Sequence, residues 1–160
     1  MNIRHLEPSD ADAFQTLRLQ ALRECPTEFL ASCEDECNTS SATIAGRIAP
    51  TSDERTFGAF TENSLVGVVG VKREQARKFA HKGYLWGMYV VPEHRNRGVG
   101  RQLVLQALAF AESVPGLRQV NLFVTATNKA AITLYESVGF LPYGINETPC
   151  LSTANFTTNC

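Results

Sequence analysis

The sequence predicts an α/β (α+β) fold in which helices lie among the strands of one sheet in a layered structure. Two neighbouring segments, "TFGAFTE" and "SLVGVVGVKRE", have the composition and the flanking turn residues of paired strands. From Gly98 onward the apolar period changes from two to about 3.6, which is typical of a helix. Strand-like and helical segments then alternate along the chain, and we expect one domain over residues 1–160.

The first part of the chain is expected to hold a short strand and two helices. "NIRHL" is strand-like, and "PSDADAFQTLRLQALREC" is helical, with Ser9 or Asp10 as a suitable cap. The apolar residues at helical spacing are Phe14, Leu17, Ala21 and Leu22. "PTEFLASCEDE" is expected to be a loop, and "TSSATIAGRIAP" a short helix that ends at Pro50.

The remaining elements alternate between strands and helices. Asn63 and Ser64 are turn residues that join the two paired strands, and "YLWGMYVV" is a third strand. The next helix ends at the "PG" of residues 115–116. "LRQVNLFVT" and "FLPYG" are strand-like, and between them "NKAAITLYESV" is a helix that stops at Gly139. The polar tail "CLSTANFTTNC" is expected to form a last, weak strand.

Composition and charge argue against several classes of partner. Hydrophobic residues make up 44% of the chain and charged residues 19%, as in ordinary globular proteins. The formal net charge of -1 provides no positive field, so we expect no nucleic-acid or membrane partner. No run approaches 18 apolar residues, and "MNIRHLEPSDAD" lacks the apolar core of a secretion signal.

The cysteines indicate a reducing compartment. There are five, an odd number, which argues against a disulfide framework and for free thiols in a cytoplasmic protein. Cys33 and Cys37 are four residues apart and suit one face of a helix, which hints at a metal. No paired histidine or second cysteine pair completes a tetrahedral set, so we expect no metal.

The segment "VVPEHRNRGVGRQL" places arginines and glycines at a strand-to-helix turn. A helix N-terminus has about four N–H groups without partners and a partial positive charge. Gly98 and Gly100 carry no side chain that would keep a ligand away from these amides. Arg95, Arg97 and Arg101 add positive charge, so the turn suits a diphosphate.

Two well-known phosphate loops do not match this turn. A Walker A loop requires Gly-x-x-x-x-Gly-Lys-Ser/Thr, which does not occur. A dinucleotide loop requires a third glycine where this chain has Leu103. The pattern that fits is Arg-x-x-Gly-x-Gly, and the alternative is an ordinary glycine-rich turn with solvated arginines.

This pattern, directly after "YVVPEH", resembles the acetyl-CoA-binding motif of the GNAT superfamily of N-acyltransferases. The resemblance covers nearly the whole chain, through "IRHLEPSDADAF", "WGMYVVPEHRNRGVGRQLV" and "VTATNKAAITLYESVGF". It implies a mixed, mostly antiparallel central sheet with a splayed strand pair and flanking helices. It also implies acetyl-CoA as the co-substrate.

The resemblance further implies which residues bind the cofactor. The amides of residues 97–101 would hold the CoA diphosphate, and the pantetheine arm would pair with the main chain of the splayed strand. Gly87, inside that strand, independently suggests a bulge or a close backbone approach. The implied cofactor-binding residues are Met88, Tyr89, Val90, Arg95, Asn96, Arg97, Gly98, Val99, Gly100, Arg101, Asn128 and Ala131.

Asn128 and Tyr135 form a second candidate site. Seven residues at about 100° each return nearly to the starting direction, so the two side chains share a helix face, with Ala131 between them. From the residues alone, Asn128 could merely cap the helix and Tyr135 merely pack in the core. The resemblance instead implies that Tyr135 donates a proton to the departing CoA thiolate and that Asn128 contacts the pantetheine arm.

The general base is left open. The strand "YLWGMYV" contains no acid, whereas many relatives of this superfamily have a glutamate there. Glu34, Asp35 and Glu36 are candidates, although they could simply be a solvated acidic run, and deprotonation through water is the default expectation. Trp86 could line the acceptor pocket or fill the core.

Two functional hypotheses remain. The first is an acyl-CoA-dependent N-acyltransferase that moves an acetyl group from acetyl-CoA to a primary amine by direct attack in a ternary complex. The alternative is a non-catalytic domain that binds or senses CoA or acyl-CoA. The acceptor would be a small-molecule or peptide amine, and homodimers are common among such folds, but no sequence feature selects the acceptor or the oligomeric state. The polar tail differs from that of relatives, so the sequence does not decide whether the tail completes the last strand.

Overall fold

A computed structural model of the chain describes residues 1–29, 31–62, 64–147 and 152–160. The strands in these residues are β1 (Asn2–His5), β2 (Glu54–Thr61), β3 (Ser64–Arg73), β4 (Lys82–Val90), β5 (Gln119–Thr125), β6 (Leu141–Glu147) and β7 (Ser152–Asn159). The helices are α1 (Ala11–Glu24), α2 (Cys33–Glu36), α3 (Ser41–Ile48), α4 (Val99–Ser113) and α5 (Lys129–Ser137). Asn63, predicted as a turn residue, and Cys150 lie outside the described residues.

The strands form one sheet in the order β1-β2-β3-β4-β5-β7-β6. Every neighbouring pair is antiparallel except β4 and β5, which are parallel. The mixed, mostly antiparallel sheet that the sequence resemblance implies is therefore confirmed.

The parallel pair separates after three positions. β4 and β5 pair only from Lys82 opposite Gln119 to Tyr84 opposite Asn121, and β4 continues without β5 as far as Val90. The strand also contains the predicted bulge, since its register against β3 shifts around Gly87, whose φ is 65°. A bulge adds local twist, which helps to turn this half of β4 away from β5.

Helices cover both faces of the sheet. On one face, α4 buries the apolar side that its period of about 3.6 predicts. The buried residues of this side are Val99, Leu103, Val104, Ala107 and Ala111. On the other face, α1 and α3 bury a second cluster that includes Phe14, Leu17, Ala21, Ile44 and Ile48. The sheet is therefore held between two apolar layers, and the predicted core positions of α1 are confirmed.

Three local predictions are corrected by the structure. The segment expected to be a loop contains a single helical turn, α2, because the Ser32 hydroxyl accepts the Asp35 N–H at its start. Asp10 precedes α1 as predicted, but its carboxylate binds Arg4 and the Glu7 N–H instead of capping the helix.

The polar tail is the third correction. The tail does form the last strand, β7, but this strand is not weakly attached, because it lies between β5 and β6 and pairs with both along its length. Two chain features that bear on location and metals are also visible in the described residues. Among them, no helix combines the length and apolar character needed to cross a bilayer, and no group of three or more potential metal ligands is found.

Candidate functional site

Where β4 and β5 separate, they leave a cleft of about 480 Å³. Its walls are the free edge of β4, the strand β5, the first turn of α4, one side of α5 and the connection that follows α1. Every site residue predicted from the sequence except Arg97 lines this cleft. They are Met88, Tyr89, Val90, Arg95, Asn96, Gly98, Val99, Gly100, Arg101, Asn128, Ala131 and Tyr135. The structure brings these residues together, and Arg97 lies exposed outside the lining.

The N-terminus of α4 presents a row of free amides to one end of the cleft. Within the described chain, the N–H groups of residues 96–101 donate to no protein acceptor, and the first bond of the helix is Gln102 N–H to Gly98 O. Asn96 and Gly98 both have positive φ, 57° and 78°, which curls the backbone ahead of the helix. Unpaired N–H groups at a helix start favour an anion, so this end of the cleft can hold phosphate oxygens.

The two glycines of this turn have different reasons to be glycine. A Cβ at Gly98 would meet nothing within 4 Å, but its positive φ disfavours any side chain there. A Cβ at Gly100 would lie 2.9 Å from Met88 Cε and 3.2 Å from Leu134 Cδ2, so the ends of both side chains would have to move. The first glycine therefore shapes the turn, and the second allows α4 to approach β4 and α5.

Arg95 is positioned at the open edge of β4. Its Nε donates to the Val90 carbonyl over 2.8 Å, and Nη2 lies 3.6 Å from Glu24 Oε2 at the end of α1. The Tyr89 hydroxyl donates to the same Glu24 oxygen, and this bond lowers the pKa of Glu24. Burial raises the pKa of Tyr89, and its hydrogen bond to Glu24 raises it further. This network ties the end of α1 to the cleft wall.

Asn128 and Tyr135 occupy the α5 side of the cleft. The Asn128 Oδ1 accepts the Ala131 N–H over 3.0 Å and caps α5, and its Nδ2 donates to Glu28 Oε2 over 2.9 Å. Tyr135 is 6% exposed and packs edge-on against Phe140, with ring centroids 5.8 Å apart. Capping and packing are therefore both observed, and the same residues still line the cleft. Burial raises the pKa of Tyr135, and the charge of Glu28 raises it further.

The acidic candidates of the sequence lie elsewhere. Glu34, Asp35 and Glu36 form α2 and do not line the cleft. The Glu36 carboxylate binds two arginines, with Arg18 Nη2 at 3.3 Å and Arg47 Nη1 at 3.5 Å. These contacts hold α2 against α1 and α3, so the Glu36 carboxylate has a structural role.

Glu28 is the acid that sequence reasoning missed. It lines the cleft because the connection after α1 folds back onto the end of β5, where the Thr125 hydroxyl donates to Thr27 O over 3.2 Å. Its partner Asn128 is 100 residues further along the chain. No spacing or motif links residues so far apart, so only the fold reveals the contact.

Comparison with known proteins identifies the family. Residues 16–140 match the model of the acetyltransferase (GNAT) family. The chain belongs to the GNAT acetyltransferase family.

Two curated relatives of this GNAT chain illustrate the acetyltransferases that it resembles. Mycothiol acetyltransferase from Thermobispora bispora is 45% identical over 93 residues, which are 56% of this chain and 31% of that protein. Spermidine N(1)-acetyltransferase from Vibrio cholerae is 28% identical over 91 residues, 57% of this chain and 51% of that protein. The matched segment thus spans between about a third and a half of these relatives.

Solved GNAT structures share the fold over almost the full length. An acetyltransferase of the GNAT family from Streptococcus pneumoniae superposes with a TM-score of 0.84 at 22% identity, covering 99% of this chain and 98% of that chain. The yncA structure from Salmonella typhimurium, solved with its cofactor acetyl-CoA, gives 0.79 at 16% identity, covering 99% and 93%. At these identities the likeness shows the fold.

Trp86 packs in the core of this GNAT chain and also lines the cleft. Its ring packs edge-on against Phe14, with centroids 6.5 Å apart, and covers Gly70 so closely that a Cβ there would clash with the indole. It also lines the cleft beside Phe29. The tryptophan therefore joins the core beneath α1 to the end of the cleft away from α4.

Proposed function

We propose that this chain is an N-acetyltransferase that moves an acetyl group from acetyl-CoA to a primary amine by direct attack in a ternary complex. One observation carries the proposal: the free amides before α4, the open edge of β4 and the Tyr135 side chain lie in one cleft. The anion site suits the diphosphate of an acyl-CoA, and the strand edge suits its pantetheine arm. The proton donor suits the thiolate that leaves.

The cofactor would be held mainly by main-chain groups. The N–H groups of residues 97–101 would bind the diphosphate, assisted by the charge of Arg95, Arg97 and Arg101. The free edge of β4 at residues 88–90 would pair with the pantetheine arm as an added strand does. The two glycines support this fit, because Gly98 permits the left-handed turn before α4 and a Cβ at Gly100 would press on Met88 of β4.

Tyr135 would supply the proton that the departing thiolate needs. A thiol has a pKa near ~8.5 and a phenol near ~10, so the phenol still holds its proton when the thiolate forms. Burial raises the pKa of Tyr135, which keeps the hydroxyl protonated over the whole neutral range. The ring is well packed, so the position of the hydroxyl oxygen is fixed before the reaction.

The acceptor is proposed to be a small-molecule or peptide amine. The relative named for spermidine acts, by its name, on a polyamine, and the acidic Glu28 beside the cleft suits an ammonium group. Asn128 and Ala131 line the same cleft, and both would contact the cofactor, Asn128 at the pantetheine arm.

The test is a calorimetric titration with acetyl-CoA followed by a thiol-release assay with a panel of amines. We expect one binding site per chain and amine-dependent release of free CoA. If acetyl-CoA does not bind, the proposed diphosphate site is wrong. Binding without thiol release from any amine would favour the sensing hypothesis instead.

A further inference from the structure

We propose that Glu28 is the general base of the reaction, and that its carboxylate receives the acceptor ammonium and removes a proton from it. This inference rests on the proposed function, because it concerns the acceptor half of the same cleft. It supplies a base for a chain whose splayed strand, from Leu85 to Val90, has no acidic residue.

The position of Glu28 distinguishes it from the other acids near the cleft. Among the described residues that line the cleft, Glu28 is the only one with a carboxylate. The neighbouring Glu24 is bound by the Tyr89 hydroxyl and by Gln20 Nε2, at 2.9 Å for the latter. Glu36 is bound by two arginines, Arg18 and Arg47. The other nearby acids therefore have structural partners, whereas Glu28 faces the ligand space.

Hydrogen bonds fix the main chain of Glu28 and one oxygen of its carboxylate. Its own N–H closes a turn onto Cys25 O over 3.0 Å, and the adjacent Thr27 is bound by the Thr125 hydroxyl. Its Oε2 accepts from Asn128 Nδ2, while its Oε1 has no hydrogen-bond partner in the described chain. One oxygen thus fixes the carboxylate, and the other is free to accept a proton from a ligand.

The proposed proton donor, the phenol of Tyr135, lies in the same cleft as Glu28. Burial is the larger cause of the raised pKa of Tyr135, and the charge of Glu28 raises this pKa further. Cys25, on the same connection, is close enough to Glu28 to be affected by its charge, and Arg95 and Glu24 act on the same thiol. A carboxylate and a phenol in one cleft are a matched base and acid.

The proton and electron changes balance in this arrangement. An N–H bond of the ammonium breaks, its proton moves to Glu28 Oε1, and the electron pair left on nitrogen forms the new bond to the thioester carbonyl carbon. The C–S bond breaks with its electron pair going to sulfur, which takes the hydroxyl proton of Tyr135. The nitrogen loses its second proton to the tyrosinate through water, and Glu28 returns its proton to solvent. One proton is released for each acetyl group transferred.

The decisive variant is Glu28→Gln, which keeps the shape and an oxygen for Asn128 but cannot take the proton. We expect kcat/KM for an alkylammonium acceptor to fall by roughly 10²-fold or more, and the Kd for acetyl-CoA to change by less than about twofold. An aromatic amine, neutral at the assay pH, should lose far less. Glu136→Gln is the matched control, since Glu136 is exposed on α5 and outside the cleft lining, and it should leave both rates unchanged.

A second variant separates catalysis from structure. In Glu28→Ala, added formate should restore part of the rate with the alkylammonium acceptor, whereas a structural defect would not respond to formate. The inference is overturned if Glu28→Gln retains the wild-type rate, or if it loses the same factor with both kinds of amine. A wild-type chain that releases no thiol from any amine contradicts the proposed function itself, which distinguishes the two failures.

Discussion

Tyr135 packs in the core and also lines the cleft, so its packing is compatible with the proposed role as proton donor. Its ring packs against Phe140 in the core, and its side chain also lines the cleft. Replacing it with phenylalanine keeps the packing and removes only the hydroxyl. We expect Tyr135→Phe to lower kcat by roughly 10²-fold while the Kd for acetyl-CoA stays nearly unchanged. Steady-state kinetics with calorimetry check this, and an unchanged kcat would remove Tyr135 from the mechanism.

The same residue should make the fold sensitive to alkali. Its pKa is raised in the folded state, mainly by burial, so an unfolded chain ionises this tyrosine first, near pH ~10. The folded state then holds more protons, and its stability is complete below about pH 10 and falls above it. The fall from Tyr135 is at most about 1.4 kcal/mol for each pH unit.

Urea denaturation between neutral pH and pH 11 measures this effect. Stability of the wild type should decline above about pH 10, and Tyr135→Phe should decline less steeply. Tyr84 and Tyr89 add to the slope in both proteins, because burial raises their pKa values too. Equal slopes in the two proteins would show that the phenol is not kept protonated by the fold.

Residues of the site differ in how far sequence could locate them. Gly98, Gly100 and Tyr135 belong to local patterns whose spacing carries information, and the structure places all three in the cleft. Glu28 is positioned by contacts with the end of β5 and the start of α5, and such long-range contacts leave no local pattern. Glu36 has the right chemistry in sequence, but in the fold its charge is used to hold Arg18 and Arg47.

At the scale of elements, the turn before α4 has an unusual backbone conformation and is also the proposed site of the CoA diphosphate. Gly98→Ala should cost about 1–2 kcal/mol of stability, since alanine must adopt a left-handed backbone. It should also weaken acetyl-CoA binding by roughly tenfold, the effect of losing about 1.4 kcal/mol of hydrogen bonding to a phosphate. Thermal or urea unfolding and calorimetry report the two effects separately.

Gly46 offers the matched control for that substitution. It lies exposed within α3, and a Cβ there would meet nothing within 4 Å. Gly46→Ala should therefore stabilise the chain by about 0.5–1 kcal/mol through helix propensity and leave acetyl-CoA affinity unchanged. Opposite signs for the two glycines would support the conformational argument, and a loss of stability at both would contradict it.

Most elements could be predicted because each has a local period and a clear stop. The helix α4 has apolar residues every four positions and ends just before residues 115–116, and α5 ends ahead of Gly139 with its positive φ. The helical turn α2 was missed because it depends on one side-chain cap at Ser32. The place of β7 was missed because its polar composition says nothing of which strands lie beside it.

At the scale of the whole molecule, β7 holds the C-terminal half of the sheet together. Phe156 on this strand is 2% exposed and belongs to the main core. Phe156→Ala should cost about 3–5 kcal/mol through lost burial and the cavity left behind. Leu141→Ala on the adjacent β6 is the control, since Leu141 is 68% exposed and should change stability by less than about 0.5 kcal/mol.

Urea denaturation with both variants measures these differences. A small effect at Phe156 would mean that β7 contributes little to the core, in conflict with its pairing to strands on both sides.

The position of β7 also governs how a growing polypeptide can finish its sheet on the ribosome. Strands β1 to β4 are neighbours in the order in which they are translated, so each can pair soon after it emerges. β5 gains its antiparallel neighbour only when residues 152–159 have been made, and β6 is made before that neighbour exists. At about 5–20 residues per second the edge of β5 stays bare for seconds, which is time enough for wrong association with another nascent chain. Slow codons between β6 and β7 should therefore lower the yield of correctly folded protein without changing a single amino acid.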